Sequence, residues 1–130
     1  MAKKVSSAVL DGGLDAIATG TEIYVCTAEP ADRTAAISTN LIDGNTTESG
    51  VSHHTLAAGD YTKAAGSGTN RKITVAQQAD LPIYTGGTAT HIVICTGSAL
   101  LLVTTCTSQP LTAGGTVTIP AFEYESAQPT

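Results

Sequence analysis

The chain reads as a mainly β, single-domain protein: an antiparallel β-sandwich or twisted sheet with one short N-terminal helix, an α+β variant. Three observations predict this. Its 130 residues include 22 threonines, no tryptophan, one phenylalanine and one methionine. The core must therefore be built from Val, Ile, Leu, Ala and Thr methyls, and β-branched side chains fit a pleated, half-buried surface. Short runs of alternating apolar and polar residues recur, as strands require. Gly and Pro stand between them at turn spacing, as in sandwiches and strongly twisted sheets. A chain of this length buries roughly two thirds of the surface its unfolded form exposes, which allows one real core. No internal repeat or second domain is visible. The expected organisation is one domain over 1–130, with flexible ends at 1–8 and 126–130 and a long loop at 31–54.

Leu10, Leu14 and Ile17 are spaced for one helix face and predict a helix over 8–18, capped by Ser7 or Asp11 and ended by Gly20. Gly12 and Gly13 each cost about 1 kcal/mol relative to Ala, so this helix forms only when docked. Glu22–Thr27 follows as the first strand, with Ile23 and Val25 on one face and Tyr24 and Cys26 on the other. Apolar groups on both faces predict a central position, and Glu29-Pro30 ends it. Asp43-Gly44-Asn45 and Glu48-Ser49-Gly50 are turn signals, so 31–54 is expected to be a long exposed excursion. Thr55–Thr62 reads as a weak strand or turn, Gly66-Ser67-Gly68 as a turn, and Arg71–Ala76 as a clear strand with Ile73 and Val75 alternating. Pro82 and Gly86-Gly87 punctuate the next connection.

Thr90–Thr96 sets Ile92 and Ile94 on one face and His91, Val93 and Cys95 on the other. Gly97-Ser98 predicts a tight turn through a positive φ, with Ala99–Thr105 returning. This register puts Cys95 opposite Leu100 and Cys106 opposite Ala89. Gly114-Gly115 makes a second turn and Thr116–Ile119 a strand. Pro120 interrupts, and Phe122 to Tyr124 continue as an edge.

Six basic residues face eleven acidic ones, a net charge of −5. The only local basic pairs are Lys3-Lys4 and Arg71-Lys72, so no basic stripe exists for a phosphate backbone and no nucleic-acid partner is expected. No stretch approaches the roughly 20 apolar residues of a membrane span. Val5–Leu10 is too short and polar for the core of a signal peptide, which predicts a protein made and kept in a cytosol. A surface poor in charge and rich in Thr, Ser and Gly suits a protein that packs against other protein, because charge is depleted at interface cores. It also suits a plain, weakly acidic soluble domain.

The search for reactive chemistry returns little. Gly66-x-Gly68 and Gly86-Gly87 lack the Lys-Thr/Ser and helix of a phosphate cradle. His53-His54 has no further ligand at metal-site spacing and reads as a solvated loop pair. His91 and Cys95 share a strand face but lie about 13 Å apart, from the rise per residue, too far for a nucleophile dyad. Glu123 and Glu125 share a face and read as an acidic edge that discourages stray pairing, since oxygen cages for cations take about six or more ligands. Three cysteines cannot all pair within one chain, and in a reducing compartment they start as thiols. Their apolar, strand-like settings read first as small buried hydrophobes. The sharper expectation is that Cys26, Cys95 or Cys106 forms an inter-chain disulfide once an assembly meets oxidant. No enzyme activity and no cofactor are expected.

Several segments taken in order carry a resemblance. They are Leu14-Asp15-Ala16-Ile17, Cys26-Thr27-Ala28-Glu29-Pro30 and Arg71-Lys72-Ile73-Thr74-Val75. After them come Gly87-Thr88-Ala89-Thr90-His91-Ile92-Val93-Ile94, Leu101-Leu102-Val103-Thr104-Thr105, and Leu111 to Phe122 with its Pro120-Ala121-Phe122 ending. This order resembles the small virion proteins of tailed bacteriophages, of the head-decoration (cement) type. The resemblance spans most of the chain, is weakest at 31–65, and is a pattern of strands and turns without a catalytic motif. The His53-His54 loop departs from it. The resemblance implies a β-rich structural protein on the capsid surface of the virion, which reinforces the shell against genome pressure. Its implied partners are the major capsid protein and copies of itself, commonly as a homotrimer, with no nucleic acid, membrane, catalysis or cofactor. Residues 1–10 or 31–54 would supply an arm to a neighbour. Competing readings are a neck or tail component, a virion-attached binding module without the tryptophans usual at sugar sites, and a hydrolase with His91 as base.

Overall fold

A computed structural model describes residues 5–37, 55–83 and 86–128. It is mainly β with antiparallel strands and a short N-terminal helix, as the sequence predicts. The helix, α1 (Ser7–Ile17), buries Leu10, Leu14 and Ile17. Its cap is Ser6, whose hydroxyl accepts from the Val9 N–H at 3.4 Å. Asp11 is not free to cap, because Arg71 holds it, Nε to Oδ1 at 2.8 Å. Lys63 pairs with Asp15 one turn on. Leu14 and Ile17 pack on Ile73, so docking offsets the two glycines. Gly20 follows where the chain passes close to the core: a Cβ there would strike Ile94 Cγ2 and lie 2.8 Å from the Tyr61 hydroxyl. That hydroxyl donates to the Gly20 carbonyl at 2.8 Å.

Among the described residues three antiparallel sheets carry the rest. The first has the order β1 (Glu22–Cys26), β5 (Gly87–Cys95), β6 (Leu100–Leu111). The second has the order β2 (Tyr61–Ala65), β3 (Arg71–Val75), β8 (Phe122–Ser126). A two-stranded ribbon joins β4 (Gln78–Pro82) to β7 (Thr116–Ile119). The first sheet is a middle layer. Ile23, Val25, Ile92 and Ile94 face Val75, Leu81, Ile83 and Ile119. On its other face Tyr24, Cys26, Val93 and Cys95 pack with Ala36.

β1 is apolar on both faces because its sheet is covered on both sides. Among the described residues β5 is the middle strand of this sheet, and the outer side of β1 carries a bridge from Glu22 to Thr55. The 31–54 excursion is corrected at its start. Asp32 caps a one-turn helix, α2 (Arg33–Ala36), by accepting from the Ala35 N–H at 2.8 Å, and Ala36 is fully buried. Residues 38–54, with both turn signals and His53-His54, lie outside the described residues.

Strand β4 was not anticipated. Its Gln, Ala and Asp residues have weak strand preference, and Asp80 sits at φ 57° beside a register shift between Gln78 and Leu81. The β5–β6 hairpin keeps the expected Cys95–Leu100 pairing, but Gln109, not Cys106, stands opposite Ala89. Thr105 pairs with His91, so Cys106, Thr107 and Ser108 together oppose Thr90. A register counted outward from the turn cannot foresee such a bulge. The turn itself also differs. Among the described residues the glycines at positive φ are Gly68 and Gly114, not Gly97. Instead the Thr96 hydroxyl accepts from the Ser98 and Ala99 N–H groups at 3.3 and 3.0 Å, a side chain standing in for backbone.

The described parts of the two ends are hydrogen-bonded to one another. Gln128 Oε1 accepts from the Val5 N–H at 2.9 Å, and its Nε2 donates to the Val5 carbonyl at 3.1 Å. The Gln128 N–H donates to Asn70 Oδ1 at 2.9 Å, and Asn70 Nδ2 donates to Glu125 at 2.7 Å. Residues 5–8 and 126–128 thus form a clasp at the β2–β3 turn, while 1–4 and 129–130 lie outside the described residues.

Two carboxylates give the fold a pH dependence. The Arg71 hydrogen bond holds Asp11 below its ordinary 3.8, and hydrogen bonds from Asn70 and the Ser67 backbone hold Glu125 below 4.5. Groups with depressed folded-state values stabilise fully above their unfolded values and lose that contribution as pH falls through the folded ones. The melting temperature is therefore expected to fall on acidification below about pH 4, and D11N or E125Q should each flatten that fall. An unchanged acid limb in both variants would contradict it.

Candidate functional site

Strand β6 and its surroundings form the most distinctive surface. It is twelve residues long and, among the described residues, pairs with β5 along one side only. Leu100 to Leu111 contains no charged residue. The outer strands of the second sheet do carry charge: β8 has Glu123 and Glu125, and β2 has Lys63, paired with Asp15. Charges on an edge discourage added strands, and β6 lacks that protection.

The bulge in β6 has a consequence beneath it. Where Cys106 to Ser108 oppose Thr90, a pocket of about 210 Å³ opens between β6 and β7. Val25, Ala89, Ile92, Val117 and Ile119 supply apolar walls, with Cys106, Thr107 and Gln109 from β6. Among the described residues no charged side chain lines it. Bulges recur where a strand must re-aim side chains beside a site.

At the far end of the first sheet, Arg33 clamps α2 to β1. Its Nη2 donates to Glu22 at 2.8 and 3.2 Å, and its Nε donates to the Thr96 carbonyl at 2.8 Å. Beneath this clamp the fully buried Tyr24 hydroxyl meets no hydrogen-bond partner in bonding geometry among the described residues. Burial, then the charge of Glu22, pushes its pKa well above the ordinary tyrosine value. The same two causes push the Cys95 thiol up to about 11.

The cysteines lie apart from one another in role. Cys26 and Cys95 have no accessible surface, and the Cys26 thiol donates to the Ala36 carbonyl at 3.6 Å. An inter-chain disulfide through either would require β1 and β5 to open. Cys106 is half-buried on the pocket wall and is the thiol within reach of solvent. A thiol-specific reagent is expected to label Cys106 in the native protein, and Cys26 and Cys95 only after unfolding. Labelling of all three at one rate would refute this placement.

The strand register sets His91 opposite Cys26, a pairing that spacing along the chain could not reveal. The buried thiol is turned to Ala36, and His91 Nδ1 lies 2.8 Å from Thr90 Oγ1. His91 and Cys95 remain four residues apart on one extended strand. Glu123 pairs with Lys72 at 3.1 Å, and Glu125 is taken up by Asn70 and Ser67. Among the described residues, no three His, Cys, Asp or Glu side chains gather as a metal site. The sequence predicted a returning strand only over Ala99–Thr105, whereas β6 runs on to Leu111, and the pocket lies beside a bulge that no spacing rule signals. Comparisons with protein-family models, curated proteins and solved structures return no match.

Proposed function

We propose that this chain is a structural virion protein that decorates and stabilises the capsid of a tailed bacteriophage. It sits on the major capsid protein and contacts copies of itself as a homotrimer. The observation that carries the reading is β6: a long, open strand without charge, beside an apolar pocket. Such a surface suits contact with protein, because the cores of protein interfaces are depleted in charge. The order of segments that resembles head-decoration proteins supports the same reading. A decoration protein needs only modest contacts in each copy, because many symmetric copies on one lattice act together. The test is the abundance of this chain in purified particles relative to the major capsid protein.

A further inference from the structure

We propose that β6 and its pocket form one strand-addition site. It takes an extended, uncharged segment of a partner chain, whose backbone pairs along the open edge and whose apolar side chain enters the pocket. This deepens the capsid reading, and the partner's identity as the shell protein rests on that reading. The site itself rests on geometry.

In an antiparallel strand, backbone groups alternate between the two sides. Those of β6 that turn away from β5 meet no further strand among the described residues. The stretch Leu102–Thr105 keeps an unbroken register with His91–Ile94, so it offers a regular template. Beyond it the bulge interrupts the pairing, which resumes from Gln109 to Leu111 opposite Ala89 to Gly87. The pocket begins at that point, with Cys106, Thr107 and Gln109 on its wall. An added strand would therefore reach the pocket as it leaves the template. Strand-addition sites work this way: main-chain hydrogen bonds give affinity and pockets for alternate side chains give specificity.

The chemistry of the occupant follows from the lining. A pocket of about 210 Å³ exceeds the voids that packed interiors usually keep. It is also larger than an engineered cavity of about 150 Å³ that holds benzene, so a Leu, Ile or Val side chain fits. A charged guest would lose its water and find no counter-charge. This excludes the chain's own start as occupant, since Lys3 and Lys4 would meet no carboxylate along β6. The chain after it is also tied down at Val5 by Gln128.

The test uses the full chain, isotope-labelled, and an acetylated and amidated Thr-Val-Leu-Val-Thr peptide as probe. Saturable NMR shifts are expected in the Leu102–Thr107 amides and the Ala89, Val117 and Ile119 methyls. The peptide with Asp in place of Leu should bind at least about tenfold more weakly, a difference of about 1.4 kcal/mol. The T107E/Q109E double variant should weaken the first peptide similarly. Both positions are exposed, and the Asp peptide asks the same question of the unaltered chain should that variant fail to fold. Absence of shifts, equal binding of both peptides, or shifts confined elsewhere would overturn the site. So would dimerisation through β6 without peptide binding, which would make a second copy the occupant. Failure here leaves the capsid reading standing, and absence of the chain from particles leaves this site standing.

Discussion

Ile73→Ala is expected to lower stability by about 2–5 kcal/mol, the range for truncating a buried branched side chain to Ala. Ile73 is fully buried in the central strand of the second sheet and is the residue on which Leu14 and Ile17 rest. Its loss leaves a cavity and also loosens α1, which contains Gly12 and Gly13 and depends on docking. The urea midpoint should drop with little change in slope, which identifies a stability change and not a change in compactness. Val9→Ala serves as the contrast, because Val9 is 63% exposed on the same helix and its truncation should stay within about 0.5 kcal/mol. A loss below about 1 kcal/mol at Ile73 would mean that α1 is not seated as described.

Arg33→Met is expected to cost about 1.5–3 kcal/mol, the range for hydrogen bonds to a charged group. Most surface ion pairs contribute about 0–1 kcal/mol. This one differs in geometry: one guanidinium holds both Glu22 oxygens and a backbone carbonyl across the chain. The two side chains are only 21% and 24% exposed. Methionine keeps the length of the stem but leaves Glu22 without its cation beside the buried Tyr24. Adding Glu22→Gln to Arg33→Met should recover part of the loss, since partners in one network are not additive. A cost below about 0.5 kcal/mol would class the clamp with ordinary surface pairs.

Much of the fold was readable because strand periodicity, turns and burial agreed. The Leu10, Leu14, Ile17 face, the Ile73 and Val75 alternation and the Ile92, Ile94 face are all buried as their spacing predicts. The misreadings share a cause, which is that tertiary partners decide what local pattern leaves open. Gln128 has the composition of a loose tail, yet it is tied to Val5 and Asn70, more than fifty residues away in sequence. The bulge opposite Thr90 breaks a register that the turn alone would have carried through. It also opens the pocket, so the part of the candidate site most specific to this fold was the part least visible in the sequence.

The capsid reading stands or falls most directly on stoichiometry. Quantitative mass spectrometry of purified particles should find this chain near parity with the major capsid protein, as expected for a protein spread over the whole lattice. A copy number many times lower would contradict decoration and move the chain to the neck, tail or fibres, and its absence would remove it from the virion altogether.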